Sequence, residues 1–198
     1  AGPTSGDDIR FTNTDWIVKK TTILEKVQSL IGPDVHVALL NDFEAVAYGL
    51  ALLDTDDLEP IWPGDSAGPM RIVCGPGTGL GLAGLRQIGP NPSDVVAIAT
   101  EAGHQSFAPE TKVEHEIVSF FSERDADRNL NDPITYENIL SGDGLRLLYE
   151  FFTQQLDATV PAESSPEQIV AEYYKNNLIA KNALEAFGFI LGSFCGNM

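Results

Sequence analysis

The stretch Gly75-Pro76-Gly77-Thr78-Gly79-Leu80-Gly81 places four glycines within seven residues, between two apolar segments. Those segments, Arg71–Cys74 and Leu80–Arg86, are predicted strands, and Val95–Thr100 is a third. Because glycine lets a backbone approach a ligand closely, the N–H groups of this turn and the Thr78 hydroxyl can bind a phosphate. The alternative is a tight glycine hairpin without a ligand, and the residues alone leave both open.

The sequence before this turn predicts two helices and one strand. Thr12–Ile31 is a predicted helix, capped by Thr14 or Asp15, with an apolar face that includes Trp16. Val35–Leu40 is a predicted buried strand, and Ala45–Leu53 a predicted buried helix.

The sequence after the strands is predominantly helical. The predicted helices are Lys112–Arg124, Thr135–Leu140, Asp143–Gln155 capped by Ser141, one that begins at Ser165-Pro166, and Asn177–Phe194. Residues 54–70 and 125–133 are predicted loops. An α/β first half followed by a helical second half is the expected fold class.

Composition excludes several classes of function. The 198 residues include 29 acidic and 12 basic ones, a net charge of −17, without a basic cluster. Nucleic acids and anionic membrane surfaces would be repelled. No apolar run approaches ~20 residues, so no membrane span is expected. Two distant cysteines, Cys74 and Cys195, favour a reducing cytoplasm over a disulfide framework, and they are too few for a cysteine zinc site.

Asn41 and Asp42 directly follow the predicted strand Val35–Leu40. Ligands of open α/β sheets bind beyond the carboxyl ends of strands, and a carboxylate there can act as a general base toward a substrate hydroxyl. The alternative is that Asp42 caps the helix that follows, and spacing alone favours this simpler role.

Two further carboxylates and a histidine are candidate ligands. Glu101 and His104 follow the third predicted strand and can converge on a polyol, because carboxylates accept hydrogen bonds from hydroxyls and imidazole can donate or accept them. A surface loop is the alternative for this pair. Glu137 by its position alone is an ordinary charge on a helix surface.

Four motifs taken in order resemble the bacterial glucokinase family, of the sugar kinase and actin superfamily. They are Leu40–Ala45 (LNDFEA), Gly75–Gly81 (GPGTGLG), Glu101–His104 (EAGH) and Glu137–Gly142 (ENILSG), with weaker similarity at 1–3, 12–16 and 192–197. The resemblance implies an incomplete actin-like, ribonuclease H-like sugar kinase fold, with a mixed sheet, flanking helices and a helical second half. Residues 1–70 would belong to its smaller N-terminal α/β domain, and 71–198 to its larger domain.

The resemblance also implies an activity, ATP-dependent phosphorylation of the 6-hydroxyl of glucose as the first step of glycolysis. Asp42 would be the general base. The implied sugar ligands are Asn41, Glu101, His104 and Glu137, and the implied phosphate-binding residues are Gly75, Gly77, Thr78 and Gly79. Mg²⁺ would be held mainly through the phosphates of ATP, so no protein metal ligand is expected. A cytoplasmic homodimer is the family expectation.

The chain departs from the family pattern at several points. Ala102 replaces a usual glycine, and Pro76 stands where a small flexible residue is common. The family's Asp-x-Gly-x-Thr phosphate loop and its glycine-rich adenosine segment do not occur in these residues, so we expect an internal piece of a longer kinase. Two other classes compete with an enzyme: a non-catalytic sugar-binding regulator of the same fold, and an acidic interaction domain with accidental motifs.

Overall fold

A computed structural model describes residues 4–5, 7–10, 15–61, 68–91, 93–124, 132–159 and 164–198. The expected cap Thr14, the motif similarity at 1–3 and 12–14, and the loop residues 62–67 and 125–131 lie outside the described residues. The chain forms two compact units: unit 1 comprises Ala1–Val73 and Leu82–Glu101, and unit 2 comprises Cys74–Gly81 and Ala102–Met198. The assignment of 1–70 and 71–198 to a smaller and a larger domain stays a prediction.

Unit 1 begins with a small antiparallel sheet and two helices. The sheet has the order β1 (Thr4–Ser5), β2 (Asp8–Arg10) and β3 (Ile17–Lys19), and the helices are α1 (Lys20–Ile31) and α2 (Asp42–Leu50).

A second three-stranded sheet, ordered β4-β5-β6, contains the predicted strands: β4 (Met70–Pro76), β5 (Leu80–Gln87) and β6 (Val95–Ala99). Strands β5 and β6 are antiparallel, with Ala83 opposite Ala99. Within unit 1, helix α2 packs on β6, because Ala47 joins Ala83, Leu85 and Ala97 in one buried cluster. All three strand predictions are confirmed to within two residues at either end.

The helix predicted from Thr12 begins only at Lys20. Residues Ile17–Lys19 instead pair as β3 with Asp8–Arg10, so a partner strand 7 to 11 residues earlier overrides the local helical pattern. Lys19 occupies the position before the helix without a side-chain cap, and Trp16 is 73% exposed rather than packed inward. The predicted cap at Asp15 is therefore wrong.

Two predictions between α1 and the second sheet also fail. Residues 35–40 form no strand, and within the described residues no ladder includes them. An extended apolar segment needs a partner for its N–H and C=O groups, and periodicity does not reveal whether one exists. The predicted buried helix 45–53 starts earlier, at Asp42, and among its residues only Ala47 is buried.

Unit 2 is mainly helical, and its helices lie close to those predicted from the sequence. Its helices are α3 (Lys112–Arg124), α4 (Tyr136–Ile139), α5 (Gly142–Gln155), α6 (Pro166–Tyr174) and α7 (Leu178–Gly196). Ser141 and Ser165 cap α5 and α6, as their positions predict, and Asn177 caps α7. The predicted caps Ser141 and Ser165 and the α3 bounds are confirmed, whereas Asn177, predicted as the first helical residue, is the cap.

Helix α7 is the one helix within the described residues that bears on the expected absence of a membrane span. Its 19 residues are long and apolar enough to cross a membrane by length and composition, and 22% of that window is buried. The helix is not an uninterrupted apolar run, because it contains Lys181 and Glu185. Within unit 2 the buried side chains of α7, which include Ala183, Ile190 and Phe194, pack among α5 and α6. A core helix of a soluble protein has the same length and composition, and the absence of a membrane span stays a prediction.

Candidate functional site

Asn41, and not Asp42, caps the N-terminus of α2. The buried Asn41 side chain accepts hydrogen bonds from the amides of Phe43 (2.9 Å) and Glu44 (3.3 Å). Glu44 Oε2 in turn accepts from the Asn41 amide at 3.3 Å, which completes a reciprocal capping box. The alternative role of Asp42 as the cap of this helix is therefore filled by its neighbour.

Asp42 is the first residue of α2, and it is exposed. Its Oδ1 lies 3.0 Å from the Phe43 amide, which orients the carboxylate beside the helix N-terminus. The neighbouring Asn41 oxygen accepts two backbone hydrogen bonds and is therefore engaged in the cap. Asp42 thus lies directly after the capping residue, in the first turn of α2.

Glu101 follows β6 at the end of unit 1 and is exposed. The residue before it is held in place, because the Thr100 hydroxyl donates to the Leu82 carbonyl at 2.8 Å. Glu101 is thereby the first residue past an anchored strand end. Asn41, Asp42 and Glu101 all belong to unit 1, whereas His104, Glu137 and Gly75–Gly79 belong to unit 2.

A short antiparallel pairing in unit 2 brings His104 close to Glu137. Ser106 bridges Thr135, the Phe107 amide donates to the Ile134 carbonyl (2.7 Å), and the Tyr136 amide donates to the Gln105 carbonyl (3.0 Å). His104 Nδ1 lies 3.7 Å from Glu137 Oε1, an ion-pair distance when the imidazole is protonated. Two residues 33 positions apart, which the motifs alone nominate, are neighbours in the structure.

The other oxygen of Glu137 binds the glycine turn, defined as residues 75–81. Glu137 Oε2 accepts the Leu80 amide at 2.9 Å. Glu137 itself is held by α4, whose capping box joins Thr135 and Asn138. One carboxylate therefore contacts both the candidate sugar histidine and the candidate phosphate turn.

Leu80 is also clamped from the side of the short 3-10 helix Ala102–His104. A Cβ on Gly103 would overlap the Leu80 carbonyl oxygen and lie 3.1 Å from Leu80 Cβ. Only glycine allows this approach, and the approach sets the position of His104, the next residue. The Leu80 amide thus donates to Glu137, and the Leu80 carbonyl packs against Gly103.

The glycine turn carries its own backbone bonds. The Gly77 amide donates to the Gly79 carbonyl (2.7 Å), and the Gly142 amide at the start of α5 donates to the Gly77 carbonyl (2.9 Å). Thr78 lies exposed at the tip, and Gly75 is half-buried. The turn is therefore tied to α4 and α5 while its tip remains accessible.

Cys74 lies next to the glycine turn, and its thiol is held neutral. Burial raises the pKa of Cys74 to about 12, and Cys195 adds to the rise through its charge and a hydrogen bond. Since the thiolate is the reactive form, Cys74 is a poor nucleophile at neutral pH.

This difference between the two cysteines predicts selective alkylation. With iodoacetamide at pH 8, we expect the exposed Cys195 to react first, because the Cys74 pKa of about 12 in place of 9.0 leaves about a thousandfold less thiolate. Peptide mass spectrometry would locate the adduct, and denatured protein should react at both residues. Equal rates in the folded protein would contradict the assignment of burial at Cys74.

Within the part of the chain that the structure describes, no three His, Cys, Asp or Glu side chains group as a metal site. Sequence reasoning missed Leu80, Gly103 and Gly142, which contribute backbone atoms rather than side-chain chemistry. Thr135 and Asn138, spaced as a capping pair, are the one signal that could have fixed the start of α4.

Comparison with known proteins gives consistent matches along the whole chain. A family profile described as Glucokinase matches residues 1–198. A glucokinase of Chromohalobacter salexigens is 33% identical over 198 residues, and one of Brucella abortus is 35% identical over 200 residues. The chain spans 57% and 54% of these relatives, little more than half of their length.

Solved structures agree on the fold. A glucokinase of Balamuthia mandrillaris, crystallised in complex with glucose, matches with a TM-score of 0.78 at 22% identity, over 100% of this chain and 58% of that one. A glucokinase of Leishmania braziliensis matches with a TM-score of 0.72 at 24% identity, over 99% of this chain and 54% of that one. The expected actin-like sugar kinase fold, of which this chain is about half, is confirmed.

Proposed function

Because this chain belongs to the glucokinase family, we propose that the protein carrying it transfers the γ-phosphoryl group of ATP to the 6-hydroxyl of glucose. The observation that carries the proposal is the contact of Glu137 with both His104 and Leu80. A sugar subsite and a phosphate-binding turn that share one carboxylate suit an enzyme that joins a sugar to a phosphoryl group.

The sugar would be bound by a set of polar side chains. His104 and Glu137 offer one histidine and one carboxylate within 3.7 Å of each other. Asn41 and Glu101, placed at the ends of secondary structure elements in unit 1, are the further proposed ligands. Hydrogen bonds to sugar hydroxyls give selectivity, because an analogue that lacks or inverts a hydroxyl leaves a protein group unpaired.

Asp42 is the proposed general base. Its carboxylate takes the proton of the 6-hydroxyl while that oxygen bonds to the γ-phosphorus and the bond from phosphorus to the β-phosphate oxygen breaks, which yields glucose 6-phosphate and ADP. Support comes from its exposed position at the start of α2 and from Asn41, which relieves Asp42 of the capping role.

The glycine turn is the proposed phosphate-binding element. The Gly77 and Leu80 amides already donate to Gly79 and Glu137, so a phosphate would be met by the Thr78 hydroxyl and the amides of Thr78 and Gly79. Gly75 is proposed to give the turn room. Mg²⁺ fits if it is held through phosphates and water, since that arrangement requires no protein cluster. When bound with ATP it neutralises charge on the phosphates.

The proposal extends to the setting of the enzyme. We expect a cytoplasmic homodimer with no nucleic-acid partner and no membrane partner, in keeping with the net charge of −17 and with two free cysteines. The reaction itself would be the first step of glycolysis.

Titration calorimetry of the complete protein with glucose, and with galactose as comparison, tests the sugar assignment. We expect glucose to bind roughly tenfold or more tightly than galactose, because inversion of a hydroxyl leaves polar groups of the subsite unpaired. A coupled assay for ADP release should show glucose-dependent turnover. Folded protein that binds neither sugar would overturn the proposal, and glucose binding without turnover would favour the non-catalytic regulator.

A further inference from the structure

Gly79 occupies a position where any side chain would collide with Glu137. A Cβ on Gly79 would overlap Glu137 Oε2 and would lie 2.9 Å from its Cδ and 3.6 Å from its Cγ. The space above Gly79 is thus filled by a carboxylate of the candidate sugar subsite. A phosphate-binding role alone does not account for this contact.

Glu137 depends on that space for its two contacts. With Gly79 beneath it, the carboxylate reaches the Leu80 amide (2.9 Å) and stands 3.7 Å from His104 Nδ1. The Glu137 side chain is only 34% exposed, so a displaced carboxylate would have to turn toward solvent. Both contacts would then be lost together.

The surrounding backbone cannot follow such a displacement easily. Helix α4 is a single turn. The Leu140 amide donates a hydrogen bond to the Tyr136 carbonyl (2.7 Å), and the capping box of Thr135 and Asn138 fixes the start of the helix. The Gly142 amide holds the Gly77 carbonyl at 2.9 Å. Because the turn and α4 are fixed to each other, an added methyl group must be accommodated by the Glu137 side chain itself.

We propose that Gly79 is a positioning residue of the sugar subsite, which by lacking a side chain keeps the Glu137 carboxylate between Leu80 and His104. This inference rests on the proposed function, because it takes Glu137 as a sugar ligand. A side chain added at Gly79, within the phosphate-binding turn, therefore weakens the binding of the sugar.

Gly79→Ala and Gly77→Ala form a matched pair for the test. Neither glycine has a positive φ, so the backbone accepts alanine at both positions, and a Cβ on Gly77 meets no atom within 4 Å. In the complete protein we would measure glucose affinity by calorimetry and the exchange rate of the Leu80 amide by NMR. Thermal melting would verify that both variants fold.

We expect Gly79→Ala to weaken glucose binding roughly tenfold or more and to speed Leu80 amide exchange roughly threefold to tenfold, since a hydrogen bond is lost. Gly77→Ala should keep both values within about twofold of the wild type, even where its donor KM rises. Glu137→Gln should keep Leu80 protected, because the amide oxygen still accepts.

Each other outcome has a definite meaning. Glucose affinity that is unchanged in Gly79→Ala would overturn the inference while the proposed function stands, as would an equal loss in Gly77→Ala. An unchanged Leu80 exchange rate in Gly79→Ala would overturn it whether or not glucose binds. Wild-type protein that is folded but binds no glucose would overturn the proposed function, and the inference with it.

Discussion

Replacing Asp42 with asparagine is expected to lower the turnover number of the complete protein by about 10²–10⁴-fold, the usual contribution of a general base. The two side chains have nearly the same shape, and asparagine keeps an oxygen for the Phe43 amide, now 3.0 Å from Asp42 Oδ1. The cap of α2 is unaffected because Asn41 supplies it. Glucose affinity, measured by calorimetry, should be largely retained while the coupled assay records the loss.

Glu44→Gln is the matched control for Asp42→Asn. It removes one negative charge from the same helical turn, and glutamine at this position completes a capping box as glutamate does. Its turnover should stay within about twofold of the wild type. Full turnover in Asp42→Asn would show that the assignment of the base is wrong. If both variants lose activity alike, turnover depends on the negative charge at the start of α2 and not on Asp42 as the proton acceptor.

Gly103→Ala is expected to lower the free energy of unfolding by about 1–3 kcal/mol, the usual cost of overpacking. The added Cβ would overlap the Leu80 carbonyl oxygen, which belongs to the buried backbone where β5 begins. That oxygen cannot rotate away as a side chain can. The 3-10 helix Ala102–His104 must move instead, and glucose affinity should fall because His104 moves with it.

Denaturant unfolding followed by circular dichroism would measure this effect. Gly192→Ala in α7 is the control, since a Cβ there meets no atom within 4 Å and alanine stabilises a helix interior by up to about 1 kcal/mol. Gly79→Ala supplies a second contrast, because its collision is with a side-chain end rather than with backbone. A Gly103→Ala variant as stable as the wild type would mean that Gly103 and Leu80 are less tightly packed than the structure places them.

The sequence predicts best where local signals are complete. Ser165 followed by Pro166 identifies the start of α6, and the period of apolar residues identifies α3 at both ends. It fails at Ile17–Lys19, where the pairing with Asp8–Arg10 outweighs the helical pattern. It fails again at residues 35–40, because an apolar run does not reveal whether a neighbouring strand exists.

In the candidate site, likewise, the sequence identifies some residues but not the contacts between them. The motif resemblance nominates Asp42, His104 and Glu137, whose roles remain proposals. No local pattern relates Glu137 to Gly79 or Leu80, which lie 57 and more residues earlier in the chain. Such contacts depend on how the pairing of 105–107 with 134–136 returns the chain to the glycine turn, and that is a property of the tertiary structure.

The glycine turn belongs to unit 2, although it precedes most of unit 2 by the length of β5 and β6. On the ribosome, at about 5–20 residues per second, it emerges roughly 3–11 s before Glu137, the acceptor of its Leu80 amide 57 residues later. Until then the nascent turn lacks its bonds to Glu137 and to Gly142, and is held by the Gly77–Gly79 bond and by the pairing of β4 with β5. The element proposed to bind phosphate is therefore completed only after the chain has been synthesised as far as Gly142.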